Sequence, residues 1–375
     1  MSTQRWVAGF RAPLVNPAEQ IRLAEPREFA AESLRQVVRV AGAGSQLRVH
    51  LTNRYSATEL VIGAARIAVS KTGTEIAAET DTVLTFGGST GARVPAHTDL
   101  VSDPIDLPVA AGDELALSLH LPEPTGSAAY AHLPAQPGWI VPGDHTADTA
   151  WPEAQETVSR FFLTGIDVLT EAAAPVLVAF GDSWFEGVGS TPGANRRSVD
   201  VVGAKLPTGW AVNQGIGGNR LVTAEVGESG LDRFERDVLP VPGVAGVWAN
   251  FGINDLIVGG TTPAAQLIAG YVELARLAHA AGLPIYANTV GPFAGVIYPD
   301  LSVADGIRVR REVNEWLRNT DVFDAVFDIA AAVQDAETGD FIRPEFDSGD
   351  GLHLNDDGHR AMAGAVDIAA LTAHR

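Results

Sequence analysis

An all-β first half joined to a parallel α/β second half is the architecture this 375-residue sequence predicts, on three observations. Apolar residues between about Leu34 and Val168 recur with period two, the spacing of strands. Beyond Pro175, short apolar runs alternate with stretches of helical period, the pattern of β-α-β units with right-handed crossovers. The length exceeds what one ordinary core fills, and a hydrophobic content of 46% is enough for two.

In the first half, Leu47, Val49 and Leu51 alternate with Arg48 and His50, and Leu115, Leu117, Leu119 and Leu121 alternate with Ala116, Ser118 and His120. Such alternation marks strands buried on one face. The clusters Gly42-Ala43-Gly44, Gly87-Gly88-Ser89 and Ala111-Gly112-Asp113 supply turns, and no long amphipathic helix intervenes. A β-sandwich or jelly-roll over residues 1–170 is the natural closure. Its tryptophans Trp6, Trp139 and Trp151 read as core packing ahead of a sugar-stacking platform, and the domain is a candidate for substrate or carbohydrate binding. Thr170-Glu171-Ala172-Ala173-Ala174-Pro175 has no periodicity and ends in proline, which places the linker there.

The second domain, residues 175–375, opens on the apolar run Val176 to Phe180. Trp210-Ala211-Val212, Val244 to Phe251, Pro284 to Val290 and Ala325 to Ile329 read as further strands. Between them, Leu267, Tyr271, Leu274 and Ala278 form one stripe of a helix capped by Thr262, with Pro263 at its first position and Gly282 at its end. Val309, Val313, Trp316 and Leu317 share the face of a second helix, and a terminal helix follows Asn355. About five parallel strands in a flavodoxin-like three-layer α/β/α sandwich are expected.

Chemistry concentrates where these runs stop. Gly181-Asp182-Ser183 ends the first run, and open α/β folds place their ligand crevices at the carboxyl ends of strands, so Ser183 is the candidate nucleophile. Asn213-Gln214-Gly215-Ile216-Gly217-Gly218-Asn219 ends the next, where glycines let backbone N–H groups approach a substrate oxygen. Gly252-Ile253-Asn254-Asp255 ends the third and offers the Asn254 amide to an oxyanion. Near the C-terminus, Asp347-Ser348-Gly349-Asp350-Gly351-Leu352-His353 sets a carboxylate three residues before an imidazole. His353 can take the Ser183 proton, with Asp350 orienting it.

These four blocks, in this order from Pro175 to the C-terminus, resemble the GDSL family, also called SGNH hydrolases, after a serine, a glycine, an asparagine and a histidine. The resemblance implies Ser183 as nucleophile, an oxyanion hole formed by the Ser183 N–H, Gly218 and Asn254, and Asp350 with His353 completing the triad. It also implies carboxyl esters as substrates, from acetylated sugars through short-chain acyl and aryl esters to lipids, and no cofactor. One departure is Trp184-Phe185 after the serine, where the family has a smaller aliphatic residue and a threonine. A pair this bulky favours a short acyl group. A glycan-binding protein on a non-catalytic hydrolase scaffold and an acyltransferase using the same triad are the alternatives.

Composition narrows the partners. The net charge of -20 argues against nucleic acid and anionic membranes, which require basic patches, and disfavours polyanionic substrates. With no cysteine there are no disulfides and no thiolate metal sites. Asp347, Asp350, His353 and His359 fit neither an EF-hand nor a His-Glu-x-x-His zinc helix, so no metal is assigned, and His359 reads as a surface residue. No P-loop lysine is present, and no G-x-G-x-x-G directly follows the first strand, which argues against nucleotides. Phe185 stands where a G-x-S-x-G elbow needs its second glycine. Arg196 and Arg197 are candidate binders of a substrate acid group. The N-terminal stretch Met1 to Trp6 has no apolar segment of signal-peptide length and no run reaches a membrane span, which suggests a soluble protein of the cytoplasm or a secreted mature fragment; the oligomeric state is open.

Overall fold

The computed structural model describes residues 4–171, 174–301 and 303–373. By internal contacts the chain divides into two compact units, Met1–Ala174 and Pro175–Arg375. Residues 172 and 173 of the expected linker lie outside the described residues.

The first unit is all-β. It holds a four-stranded and a six-stranded sheet, both antiparallel, with two small strand pairs beside them. Leu47–Thr52 pairs with Leu163–Thr170 and buries Leu47, Val49 and Leu51, as the alternation requires. Glu114–Leu121 departs from expectation, because Ala116 and Ser118 are buried as well as the leucines. Its second face has its own cover: Val37, Ala68, Ile76 and the partly buried Trp139 pack around Ala116. Arg35 donates from Nε to Ser118 Oγ at 2.8 Å and lies 4.3 Å from the Trp151 ring centre. Trp151 is therefore core, and half-buried Trp6 lies against the Arg48 guanidinium. Fully buried Asp167 is paired with Arg11, Arg48 and His50. Burial would raise its pKa, but the hydrogen bond from His50 and the Arg11 charge reverse this and hold it below the carboxylate range.

The second unit is built on five parallel strands, β1 (Val176–Gly181), β2 (Trp210–Gly215), β3 (Val244–Asn250), β4 (Ile285–Asn288) and β5 (Ala325–Phe327). Their order in the sheet is β2-β1-β3-β4-β5, so the winding reverses at β1. All of β1 is buried, as a strand covered on both faces must be. Register then aligns the strand ends: Gly181 lies opposite Gly215 on one side and Asn250 on the other. The blocks that follow β1, β2 and β3 consequently leave the sheet at one level.

Helices Ala264–Ala280 and Val303–Asn319 are the two long crossovers. The first starts one residue later than expected, with Pro263 at the N-cap rather than the first helical position. Thr262 does not cap it, because its hydroxyl accepts from Arg220 Nη2 at 2.9 Å. The terminal helix Asp356–Gly364 is capped by Asn355, whose Oδ1 accepts from the N–H groups of Asp357 and Gly358. Among the described residues no helix is long and apolar enough to cross a membrane.

Candidate active site

Ser183 is the first residue of the short helix Ser183–Glu186, directly beyond β1. Asp182 caps that helix, accepting the Trp184 N–H at Oδ1. The turn is tight enough to demand glycine at 181, where a Cβ would lie 2.8 Å from the Phe185 ring. The serine is held at the strand end, not on a mobile loop.

His353 arrives from the far end of the chain. Its Nε2 is 3.0 Å from Ser183 Oγ and its Nδ1 is 2.6 Å from Asp350 Oδ2. A carboxylate at Nδ1 fixes the proton there, leaving Nε2 as the acceptor that faces the hydroxyl. Asp350 is rigid because its Oδ1 takes the N–H groups of Leu352 and His353 at 2.9 and 2.8 Å and the Ser348 hydroxyl at 3.2 Å. Burial alone would raise the pKa of Asp350. The His353 hydrogen bond and charge outweigh it and keep the carboxyl well below its usual range.

Gly218 follows β2 with φ of 77°, a left-handed conformation that a side chain would strain, and a Cβ there would also press on Val226. Asn254 lies in the helix Ile253–Ile257 after β3 and donates from Nδ2 to Asn219 O at 3.0 Å. Among the described residues, the N–H groups of Ser183 and Gly218 have no acceptor. Ser183, Asn254 and His353 are 6%, 5% and 9% exposed, so each presents only a small part of its surface to solvent.

Several residues that hold this arrangement were not singled out from the sequence. Arg233, fully buried, donates from Nε to Asn219 Oδ1, from Nη1 to Gln214 O and from Nη2 to Gly181 O, tying β1, β2 and the glycine loop together. Glu186 accepts the Gly217 N–H at 2.6 Å. Asp255, next to Asn254, accepts the N–H groups of Leu221 and Val222. Burial pushes Asp255 up to about 6 against these hydrogen bonds. Asp182 is pushed by burial up to about 7, although the Trp184 N–H and the Asn250 amide pull the other way. Asn250 continues into a buried chain through Asn288 to the Trp248 indole.

Other expectations change. Trp184 and Phe185 are buried: the indole donates to Leu352 O at 3.0 Å, and Phe185 packs 4.4 Å from the Trp248 ring. They brace the serine helix against the histidine loop and the sheet, and their bulk says nothing about acyl length. Arg196 pairs with Asp356 and buried Arg197 with Asp200, so both cations are engaged within the protein. His359 is fully buried, not a surface residue, because its face of the terminal helix turns inward and its Nδ1 accepts the Ser198 N–H at 3.3 Å. Burial lowers it to about 4. Among the described residues no cluster of three metal-ligating side chains forms.

Residues 179–361, which include all five candidate residues, match the model of the GDSL-like Lipase/Acylhydrolase family. The second unit carries a GDSL-like lipase/acylhydrolase domain. No curated protein matches the sequence. Solved structures similar to this chain include a GDSL-like lipase from Bacteroides thetaiotaomicron VPI-5482, at 19% identity over 54% of this chain and 91% of that one, TM-score 0.43. A carbohydrate acetylesterase from Sinorhizobium meliloti aligns at 15% identity over 53% and 99%, TM-score 0.42. An aryl esterase of M. smegmatis aligns at 16% identity over 54% and 100%, TM-score 0.41.

Proposed function

We propose that the GDSL-like domain is a serine esterase that hydrolyses carboxyl esters through an acyl-enzyme on Ser183. The observation that carries this reading is His353, bridging Ser183 Oγ at 3.0 Å and Asp350 Oδ2 at 2.6 Å. His353 takes the serine proton as Oγ attacks the ester carbonyl, and Asp350 stabilises the imidazolium that forms. The carbonyl oxygen, now negative, is met by the N–H groups of Ser183 and Gly218 and by the Asn254 amide. Collapse expels the alcohol, which takes its proton from His353. Water, deprotonated by the same imidazole, then releases the acid and restores the serine. No cofactor enters this cycle.

Short-chain acyl esters and acetylated carbohydrates are the proposed substrates. The slight exposure of Ser183 and His353 supports a small acyl group, and the net charge of -20 supports a neutral or cationic alcohol portion over a polyanionic one. The all-β unit is proposed to bind the substrate or its carbohydrate portion. A panel of acetyl, butyryl and octanoyl esters beside acetylated oligosaccharides tests the reading through relative kcat/KM. Acetyl esters are expected to lead. A flat response to acyl length would refute the small-acyl assignment, and no turnover on any ester would refute the esterase.

A further inference from the structure

Asp350 is gripped from a second direction by the segment that follows β4. This segment begins beside the nucleophile helix, at Gly291, where a Cβ would collide with the Trp184 ring. It crosses the histidine loop where Gly295 meets Gly351 so closely that a Cβ on Gly351 would overlap the Gly295 carbonyl. Two successive residues then engage Asp350. The Ile297 N–H donates to its backbone carbonyl, and the Tyr298 hydroxyl donates to its Oδ2, both at 3.1 Å.

Oδ2 is also the oxygen that accepts from His353 Nδ1. Among the described residues, His353 and Tyr298 are the donors to that oxygen; the backbone N–H groups and Ser348 all go to Oδ1. Other titratable groups nearby are committed elsewhere. Asp347 Oδ1 takes the N–H groups of Gly349 and Gly351, Asp356 is paired with Thr191 and Arg196, and Glu186 holds Gly217. Burial and the Asp350 charge both raise the phenol pKa, so Tyr298 is a protonated donor through neutral pH.

We propose that Tyr298 is a positioning residue for the Asp350–His353 pair, competing with the imidazole for Oδ2 and so setting how strongly the carboxylate stabilises the imidazolium. The proposal rests on Ser183 and His353 acting as described above. Loss of the hydroxyl leaves the charge on Oδ2 to His353 alone. The imidazolium is then more stable, and the acidic limb of kcat/KM moves to higher pH.

The test is Tyr298→Phe, at a residue exposed enough for the change to leave the fold intact, with kcat/KM for a phenyl acetate followed from pH 5 to 9. The limb should rise by about half a pH unit, as expected for one lost neutral hydrogen bond to a carboxylate. Replacing Tyr298 by 3-fluorotyrosine, a stronger donor, should move it the opposite way. An unmoved limb overturns the proposal, including the case where kcat falls equally at every pH, since that marks a purely structural contact. Ser183→Ala, assayed in parallel, separates the two readings. If it is inactive and Tyr298→Phe leaves the limb in place, only the role of Tyr298 fails; if it stays active, both fail.

Discussion

Asp182 sits one residue before the proposed nucleophile and makes the stability of its unit depend on pH in an unusual direction. Its Oδ1 accepts from the Trp184 N–H at 3.1 Å and the Asn250 amide at 3.0 Å, while Oδ2 is buried with no partner among the described residues. Burial, with the charge of Asp255 adding to it, raises the carboxyl from an ordinary 3.8 to about 7. Between these values the native state keeps a proton that the unfolded chain has released, so raising the pH favours unfolding. The stabilisation of the protonated form is full below about pH 4 and lost as the pH passes about 7. A rise of this size corresponds to about 4 kcal/mol at full burial. Relaxation of the surroundings brings the measurable difference to about 2–3 kcal/mol. Asp182→Asn keeps an acceptor for Trp184 and Asn250 and removes the charge. The mutant should exceed the wild type modestly at pH 5 and by the full difference at pH 8, with a shallower slope between, because Asp255, raised to about 6, still titrates. Urea unfolding at pH 5, 6, 7 and 8, followed by hydrogen exchange of the strand Val176–Gly181, reports this unit alone. Parallel stability curves for the two proteins would refute the account of Asp182.

The remaining predictions concern the chemistry. Asn254→Ala should lower kcat by about 10²- to 10³-fold with little change in KM, as expected for a donor that acts mainly on the transition state. A raised KM at constant kcat would make it a binding residue, and no change in either would leave it as a turn-forming residue. Prolonged EDTA treatment should leave kcat/KM unchanged. Loss of activity restored by zinc would place a metal in the acidic loop around His353 and overturn the serine mechanism.

The sequence carried the parts of the site that lie at strand ends. Ser183, Gly218 and Asn254 each follow an apolar run, and parallel register brings three run ends to one level, so their proximity follows from the β-α-β pattern alone. Asp350 and His353 were legible as a pair because they are three residues apart. What stayed hidden depends on which way side chains turn after the backbone is placed. Trp184 and Phe185 look like pocket walls in a motif, yet the helical turn after Ser183 aims both inward, against Leu352 and Trp248. Arg233 lies among charged residues on the helix Gly230–Asp237, so nothing in the spacing singles it out, although the buried Gly181 and Gln214 carbonyls at the ends of β1 and β2 take its donors. His359 and the buried second face of Glu114–Leu121 mislead for the same reason, since periodicity reveals that a face is apolar but not what covers a polar residue. Tyr298 belongs to a loop with no period, so its contact with Asp350 leaves no trace in the spacing.

Reaction of the protein with a fluorophosphonate probe tests the central claim most directly. The wild type should be labelled at Ser183 and lose its esterase activity in proportion. Ser183→Ala should remain folded, take no label and lose at least about 10³-fold in kcat, the scale on which removal of a triad member acts. A folded Ser183→Ala protein that keeps more than a tenth of wild-type kcat, or a label found on a different serine, would contradict the account.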